Sequence, residues 1–171
     1  MTAEAGGEVS VRRARTSDVP AIRAFIDHYS SNRILLSKAT VTLYEDVQEF
    51  WVAELDGRVV GCGALHVLWE DLAEVRTLAS DPAVRGRGIG GTVLSALVAQ
   101  AEALGIRRLF CLTFEVEFFT RHGFSVIEGT PVELDVYEQL LQSYDEGVAE
   151  FLDLERVKPN TLGNTRMLRH L

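Results

Sequence analysis

The segment Arg85-Gly86-Arg87-Gly88-Ile89-Gly90-Gly91 restricts the fold of this chain more than any other. Before it, Glu70 to Ala79 has the apolar character of a strand, and Ser80 to Val84, with Asp81-Pro82, reads as a tight turn. After it, Gly88 to about Leu104 reads as a long helix ended by Gly105. A strand is therefore expected to cross through glycines into a helix start. Glycine lets the backbone approach a ligand closely, and the first N–H groups of a helix have no intrahelical acceptors, so such a crossing can grip an anion. Arg85 and Arg87 add positive charge there. The competing reading is a flexible turn with glycines packed on the sheet. Two other phosphate loops are excluded. The Gly-Lys-Ser/Thr of a Walker A loop is absent, and Gly86-x-Gly88-x-Gly90 lacks the GxGxxG spacing of a dinucleotide site and lies mid-chain.

The remaining pattern alternates strands and helices. Val9 to Ala14 reads as a strand, and Thr16-Ser17-Asp18 before Pro20 opens a helix to about Tyr29 with apolar Val19, Ile22, Phe25 and Ile26 on one face. Ile34-Leu35-Leu36 and a short helix from Thr42 to about Val47 read as a loop-and-helix lid. Phe50–Glu54 and Arg58–His66 form an expected antiparallel hairpin across Asp56-Gly57. Arg108–Thr113 is a strand, Val116–His122 a short helix and Phe124–Ile127 a strand. Beyond Pro131, Leu134 to about Ser143 is helical in pattern, Gly147–Leu154 is ambiguous, and Asn164–Leu171 is a candidate final strand. The class is α/β (α+β).

With 171 residues, 47% hydrophobic and 25% charged, the chain fits a single domain, 1–171. There is no run of eighteen apolar residues, and the N-terminus lacks the basic and apolar parts of a signal peptide, so a cytoplasmic protein without membrane association is expected. A net charge of −8 argues against broad nucleic-acid binding and leaves only local basic sites: Arg85 with Arg87, and the tail carrying Arg156, Lys158, Arg166 and Arg169. Cys62 and Cys111 lie in apolar runs with neither CxxC spacing nor a histidine in ligand register, so both read as reduced core thiols and no metal is expected. His66, at the end of an expected strand, reads as structural in preference to a base. Trp51, Trp69, Phe110 and Phe114 read as core.

Val84-Arg85-Gly86-Arg87-Gly88-Ile89-Gly90 resembles the (Arg/Gln)-x-x-Gly-x-(Gly/Ala) motif of the GNAT superfamily of acetyl-CoA-dependent N-acetyltransferases. Val75–Pro82 resembles that family's cofactor strand, and Phe119-Thr120-Arg121-His122-Gly123-Phe124 its penultimate motif. The likeness covers about 9–127, with the motifs in order. It implies a splayed, mixed, mostly antiparallel sheet flanked by helices, with acetyl-CoA as co-substrate. It places the diphosphate on the amides of residues 87 to 92 and pantetheine near Leu78 and Ala79, and implies donor contacts from Arg85, Arg87, Gly88, Ile89, Gly90, Gly91, Thr92, Phe119 and Arg121.

The subgroup is argued from Ile34-Leu35-Leu36, Leu43–Glu54 and Val60–His66, which are similar to the acetyltransferase domain of N-acetylglutamate synthases, in particular the short single-domain synthases of actinobacteria. That resemblance implies acetyl transfer to the α-amine of L-glutamate, the first step of arginine biosynthesis. L-glutamine, another small amine, or a CoA-binding sensor role are the alternatives. It implies Glu74 as general base, with an ion pair to Arg76 as the competing role, the Leu78 N–H as oxyanion donor, and Thr113 as proton relay or thiolate stabiliser, with a strand-end hydroxyl bonded to backbone as the competing role. Phe119 stands where many relatives have a tyrosine acid, Lys38 where the synthases usually have arginine, and Gly163 where an arginine is usual. Lys38, Arg76, Lys158, Asn160, Asn164 and Thr165 are the implied acceptor contacts, the extension from about 131 to 171 contributing to the acceptor site or to a dimer. A C-terminal strand able to pair with a sheet edge allows a homodimer.

Overall fold

A computed structural model describes residues 7–31, 38–154 and 164–171. The chain groups into two compact units, one drawn from 1–65 and 77–100, the other from 66–76 and 101–171. Seven strands form one mixed sheet: β1 (Ser10–Arg13), β2 (Phe50–Leu55), β3 (Arg58–Trp69), β4 (Leu72–Ser80), β5 (Arg108–Thr113), β6 (Ser125–Val126) and β7 (Thr165–His170), in the order β1-β2-β3-β4-β5-β7-β6. The pairs β1–β2, β2–β3, β5–β7 and β6–β7 are antiparallel, and β4–β5 is parallel. The helices are α1 (Val19–Ser31), α2 (Thr40–Glu45), α3 (Ile89–Ala103), α4 (Val116–Arg121), α5 (Leu134–Leu140) and α6 (Glu146–Phe151). The expected mostly antiparallel mixed sheet with flanking helices is present.

In the first unit, the β2–β3 hairpin turns at Asp56 and Gly57, both with positive φ (52° and 75°), as a two-residue turn matched to strand twist requires. Val19, Ile22 and Ile26 of α1 pack with Leu43, Phe50, Val52 and Cys62 in a core closed to water. A guanidinium fork fixes the entry to α1: Arg12 donates to both Asp18 oxygens (2.8 and 3.0 Å) and to Glu54, while Asp18 also accepts the Arg15 N–H. The amphipathic pattern of α3 is weak because Ala96, Val98 and Ala99 lie outside the buried face of Val93, Leu94 and Leu97 and leave the other side little more polar. Two small residues of β3 admit it: a Cβ at Gly61 would stand 2.5 Å from Ile89, and one at Gly63 2.9 Å from Val93.

β3 runs to Trp69, three residues past the expected end, so His66 lies inside a strand and not at its tip. Glu70 and Asp71 make the turn that the sequence reading assigned to β4, which starts at Leu72. Asp71 is held there by what it binds: its carbonyl accepts the N–H groups of Arg107 and Arg108 (2.9 Å each), and its carboxylate pairs with Arg108 at 3.1 Å, fixing the start of β5.

In the second unit, Leu68, Leu72, Phe110, Phe151 and Leu168 share a second core. The final strand forms as expected, but between β5 and β6, with Thr113 opposite Thr165. Both edges of β7 are used by the protein's own sheet, so pairing of this strand with a second copy loses its basis. The ambiguous stretch after 146 is helical, α6, capped by the Asp145 carboxylate accepting the Val148 N–H at 2.9 Å. Cys62 and Cys111 are free and buried as expected; burial pushes the Cys62 thiol up to about 12, and burial with the charge of Glu74 raises that of Cys111. The core reading of the aromatics holds for Phe110 alone. Trp51 lies half-buried under the Arg13 guanidinium, and Trp69 and Phe114 are exposed because they stand at or beyond strand ends.

Candidate functional site

The glycine segment lies in the first unit. β4 ends at Ser80, and the Asp81 carboxylate accepts the Ala83 N–H (2.9 Å), capping the 3-10 turn Pro82–Val84. Gly86 and Gly88 then take positive φ (82° and 72°), and a Cβ at either would meet no atom within 4 Å. Conformation, not space, demands glycine at both. Positive-φ glycines alternating with Arg85 and Arg87 suit the convergence of successive N–H groups on an anion. The first helical bond of α3 is Thr92 N–H to the Gly88 carbonyl (3.0 Å), so the amides of Ile89, Gly90 and Gly91 lie ahead of the intrahelical ladder. The Thr92 hydroxyl is already spent on the same carbonyl (2.9 Å). Arg85, Arg87 and Gly88 are exposed, while the Ile89 side chain is buried. A fifteen-residue helix brings about half a positive charge to this end.

Upstream, β4 departs from regular strand geometry at Thr77, a non-glycine residue with φ of 53°. The burial pattern breaks with it: Arg76 is buried, Thr77 and Leu78 are half-buried in succession, and Ala79 is buried. Such a residue costs about 1–3 kcal/mol and persists only where its surroundings hold it. The irregularity immediately precedes the backbone N–H expected to serve an oxyanion.

In the second unit, Glu74 and Arg76 share a face of β4, two residues apart, and both are buried. The Arg76 Nε donates to Glu74 Oε2 at 2.9 Å, so the ion pair weighed against a catalytic role is present. Asp145, from the start of α6, stands with Oδ1 2.8 Å from Arg76 Nη2. The contact is a charge–charge attraction at ion-pair distance, with no hydrogen bond from Nη2 to a partner among the described residues. Burial works against the Arg76 charge, but Glu74 and Asp145 outweigh it and hold the guanidinium above its ordinary pKa. Burial likewise opposes the Asp145 carboxylate, yet the Arg76 charge holds it below the usual range, with help from the Val148 N–H and His66.

Thr113 is buried at the end of β5, where its hydroxyl oxygen accepts the Glu115 N–H at 2.8 Å. Phe119 is buried in α4, edge-on to Phe118 and Phe124, and Arg121 is exposed. Lys38 is half-buried in the first unit, its carbonyl accepting from Arg23. Asn164 and Thr165 are half-buried at the start of β7. Lys158 and Asn160, with Ile34-Leu35-Leu36 and Gly163, lie outside the described residues. Thus Glu74 and Arg76 come together in the second unit, Leu78 to Thr92 in the first. Sequence reasoning missed Asp145. Its signal was present, since an aspartate ahead of Glu146 is a helix cap, but the ambiguous reading of the next residues hid it. Among the described residues no group of three or more His, Cys, Asp or Glu side chains is arranged to hold a metal ion, and no helix is long and apolar enough to cross a membrane.

Residues 19–124 match the acetyltransferase (GNAT) family. The chain is 63% identical over 161 residues to an amino-acid acetyltransferase of Mycobacterium tuberculosis, covering 92% of each chain. It is 36% identical over 118 residues to an amino-acid acetyltransferase of Neisseria meningitidis, covering 68% of this chain and 27% of that protein. Among solved structures, Rv2747 of Mycobacterium tuberculosis, in complex with CoA and a second ligand, superposes with a TM-score of 0.91 at 62% identity, covering 95% of this chain and 99% of that one. The N-acetylglutamate synthase of Neisseria gonorrhoeae, complexed with coenzyme A and N-acetyl-glutamate, superposes with a TM-score of 0.77 at 26% identity, over 96% of this chain and 35% of that one.

Proposed function

The chain belongs to the acetyltransferase (GNAT) family, and we propose on that premise that it transfers the acetyl group of acetyl-CoA to the α-amine of L-glutamate or L-glutamine. The observation that carries the donor half is the Arg85–Thr92 crossing, where two positive-φ glycines and two exposed arginines open a long helix. The acceptor half is supported by likeness to amino-acid acetyltransferases, one matched over 92% of each chain. The single-domain reading, with the tail from about 131 contributing to the acceptor site, belongs to the same proposal.

The chemistry follows from the groups available. The acceptor ammonium loses a proton, its nitrogen attacks the thioester carbon, the C–S bond breaks, and the CoA thiolate gains a proton. Glu74 takes the ammonium proton, directly or through water. Its Oε2 is oriented by Arg76, and a carboxylate has a second oxygen to receive a proton. The Leu78 N–H, placed next to the Thr77 irregularity, stabilises the developing oxyanion. Phe119 carries no hydroxyl and is committed to an aromatic cluster, so the sulfur is served by Thr113, which stabilises the thiolate by a hydrogen bond or relays to it a proton taken from water. Accepting the Glu115 N–H leaves the Thr113 hydroxyl its own hydrogen to donate. Lys38, Asn164 and Thr165 are assigned to the acceptor's carboxylate and amide groups, while Arg76, also an implied acceptor contact, is already shared by the Glu74 and Asp145 carboxylates. A lysine makes point contact where arginine would grip bidentately, which lowers the advantage of a second charged carboxylate and keeps glutamine in the substrate class.

The test is a single-turnover reaction followed by mass spectrometry. Free CoA together with the N-acetyl amino acid is expected; acetyl-CoA retained on the protein with no acetylated product in the presence of either amino acid would favour a CoA sensor.

A further inference from the structure

We propose that Asp145 is a positioning residue for this reaction, holding the Arg76 guanidinium, and through it the Glu74 carboxylate, from the first turn of α6. The inference rests on the reading of Glu74 as the base and adds the element that fixes it.

Three charged side chains stand in series within the second unit. Arg76, 8% exposed, is shared by two carboxylates: Nε lies 2.9 Å from Glu74 Oε2 and Nη2 2.8 Å from Asp145 Oδ1. A single cation stands between two anions, with Glu74 and Arg76 buried and Asp145 half-buried, an arrangement that must be held by geometry because desolvation opposes charges taken out of water. That geometry comes from α6. The same Asp145 oxygen that meets Arg76 caps the helix by accepting the Val148 N–H, so the helix start and the guanidinium have one common anchor. Gly147, in the first turn, packs against the guanidinium so closely that any Cβ would overlap the Arg76 side chain. A six-residue helix is too short to hold itself by propensity. Its far end is held by a second arginine: Arg166 donates to the Glu150 and Phe151 carbonyls (3.2 and 2.5 Å) and to the Gly129 carbonyl (2.9 Å). With Asp145 and Arg166 tying its two ends, α6 is a strut whose first turn determines where the Arg76 fork points.

The charges acting on this pair come from several elements. Arg76 on its own strand and Arg166 on β7 act with Glu74, whose charge also raises the buried Cys111 thiol on β5, while Arg76 and His66 of β3 act on Asp145. Removing the Asp145 charge takes away the second anchor of the guanidinium and leaves its fork to Glu74 alone.

Asp145→Asn and Asp145→Ser test this, since each keeps an oxygen able to cap α6 and drops the charge. Both are expected to lower kcat about ten-fold, with the KM for acetyl-CoA within about two-fold of the parent. A merely structural cap would lower the melting temperature and leave kcat in place. Either variant, folded by circular dichroism, with the parent's kcat overturns the proposal. Glu74→Gln is measured in parallel: if it keeps the parent's kcat, the base assignment falls and this inference with it, whereas an inactive Glu74→Gln beside an Asp145→Asn with the parent's kcat removes the positioning role alone.

Discussion

At the scale of single residues, Glu74 bears the greatest weight. Removal of its charge by Glu74→Gln is expected to lower kcat roughly 100-fold or more while acetyl-CoA affinity, measured by calorimetry, stays within about two-fold. An equal loss in affinity would mean that the residue acts in binding. The Glu74–Arg76 pair was legible in the sequence, because residues two apart on a strand share a face. Its third member was not, since Asp145 lies on an element whose packing no local pattern discloses. The same limit explains Trp69 and Phe114: an apolar side chain at a strand end is buried only if another element covers it.

At the scale of elements, the crossing from β4 to α3 was read nearly to the residue, because glycines with a conformational duty and an Asp-Pro turn leave local signals. Gly90→Glu sets a carboxylate beside the amides proposed to hold a diphosphate. It is expected to abolish measurable acetyl-CoA binding in a variant that stays folded, and calorimetry showing parental affinity would refute the placement. The length of β3 and the existence of α6 were harder to read. β3 continues through Val67-Leu68-Trp69 and reverses at Glu70-Asp71 without glycine or proline, so nothing local marked the turn. In α6, Gly147 reads as a helix breaker, yet the packing of Arg76 is what requires it. The final strand was legible as a strand but not in position, because order within a sheet depends on long-range pairing.

At the scale of the whole molecule, the described residues of each unit include a buried apolar cluster, and ion pairs such as Arg12–Asp18 and Arg76–Glu74 add to it. Asp18 gives stability a defined pH dependence. Hydrogen bonds from Arg12 hold its carboxyl below the ordinary range against burial, with the Arg15 N–H assisting. A depressed folded-state value contributes stability that is complete above the unfolded carboxyl value, near about 4, and is lost as pH falls through the lower folded value. Asp18→Ala is therefore expected to lower stability by about 2 kcal/mol at pH 7 in urea denaturation, and its deficit to shrink below about pH 4. A deficit constant across that range would show that the charge contributes nothing. The central claim concerns the reaction and is tested most directly by thiol release from acetyl-CoA with L-glutamate, L-glutamine and L-aspartate side by side. Release is expected to require acetyl-CoA together with glutamate or glutamine, and to be weak with aspartate, whose shorter side chain misplaces the distal carboxylate. No release above background with either glutamate or glutamine would contradict it.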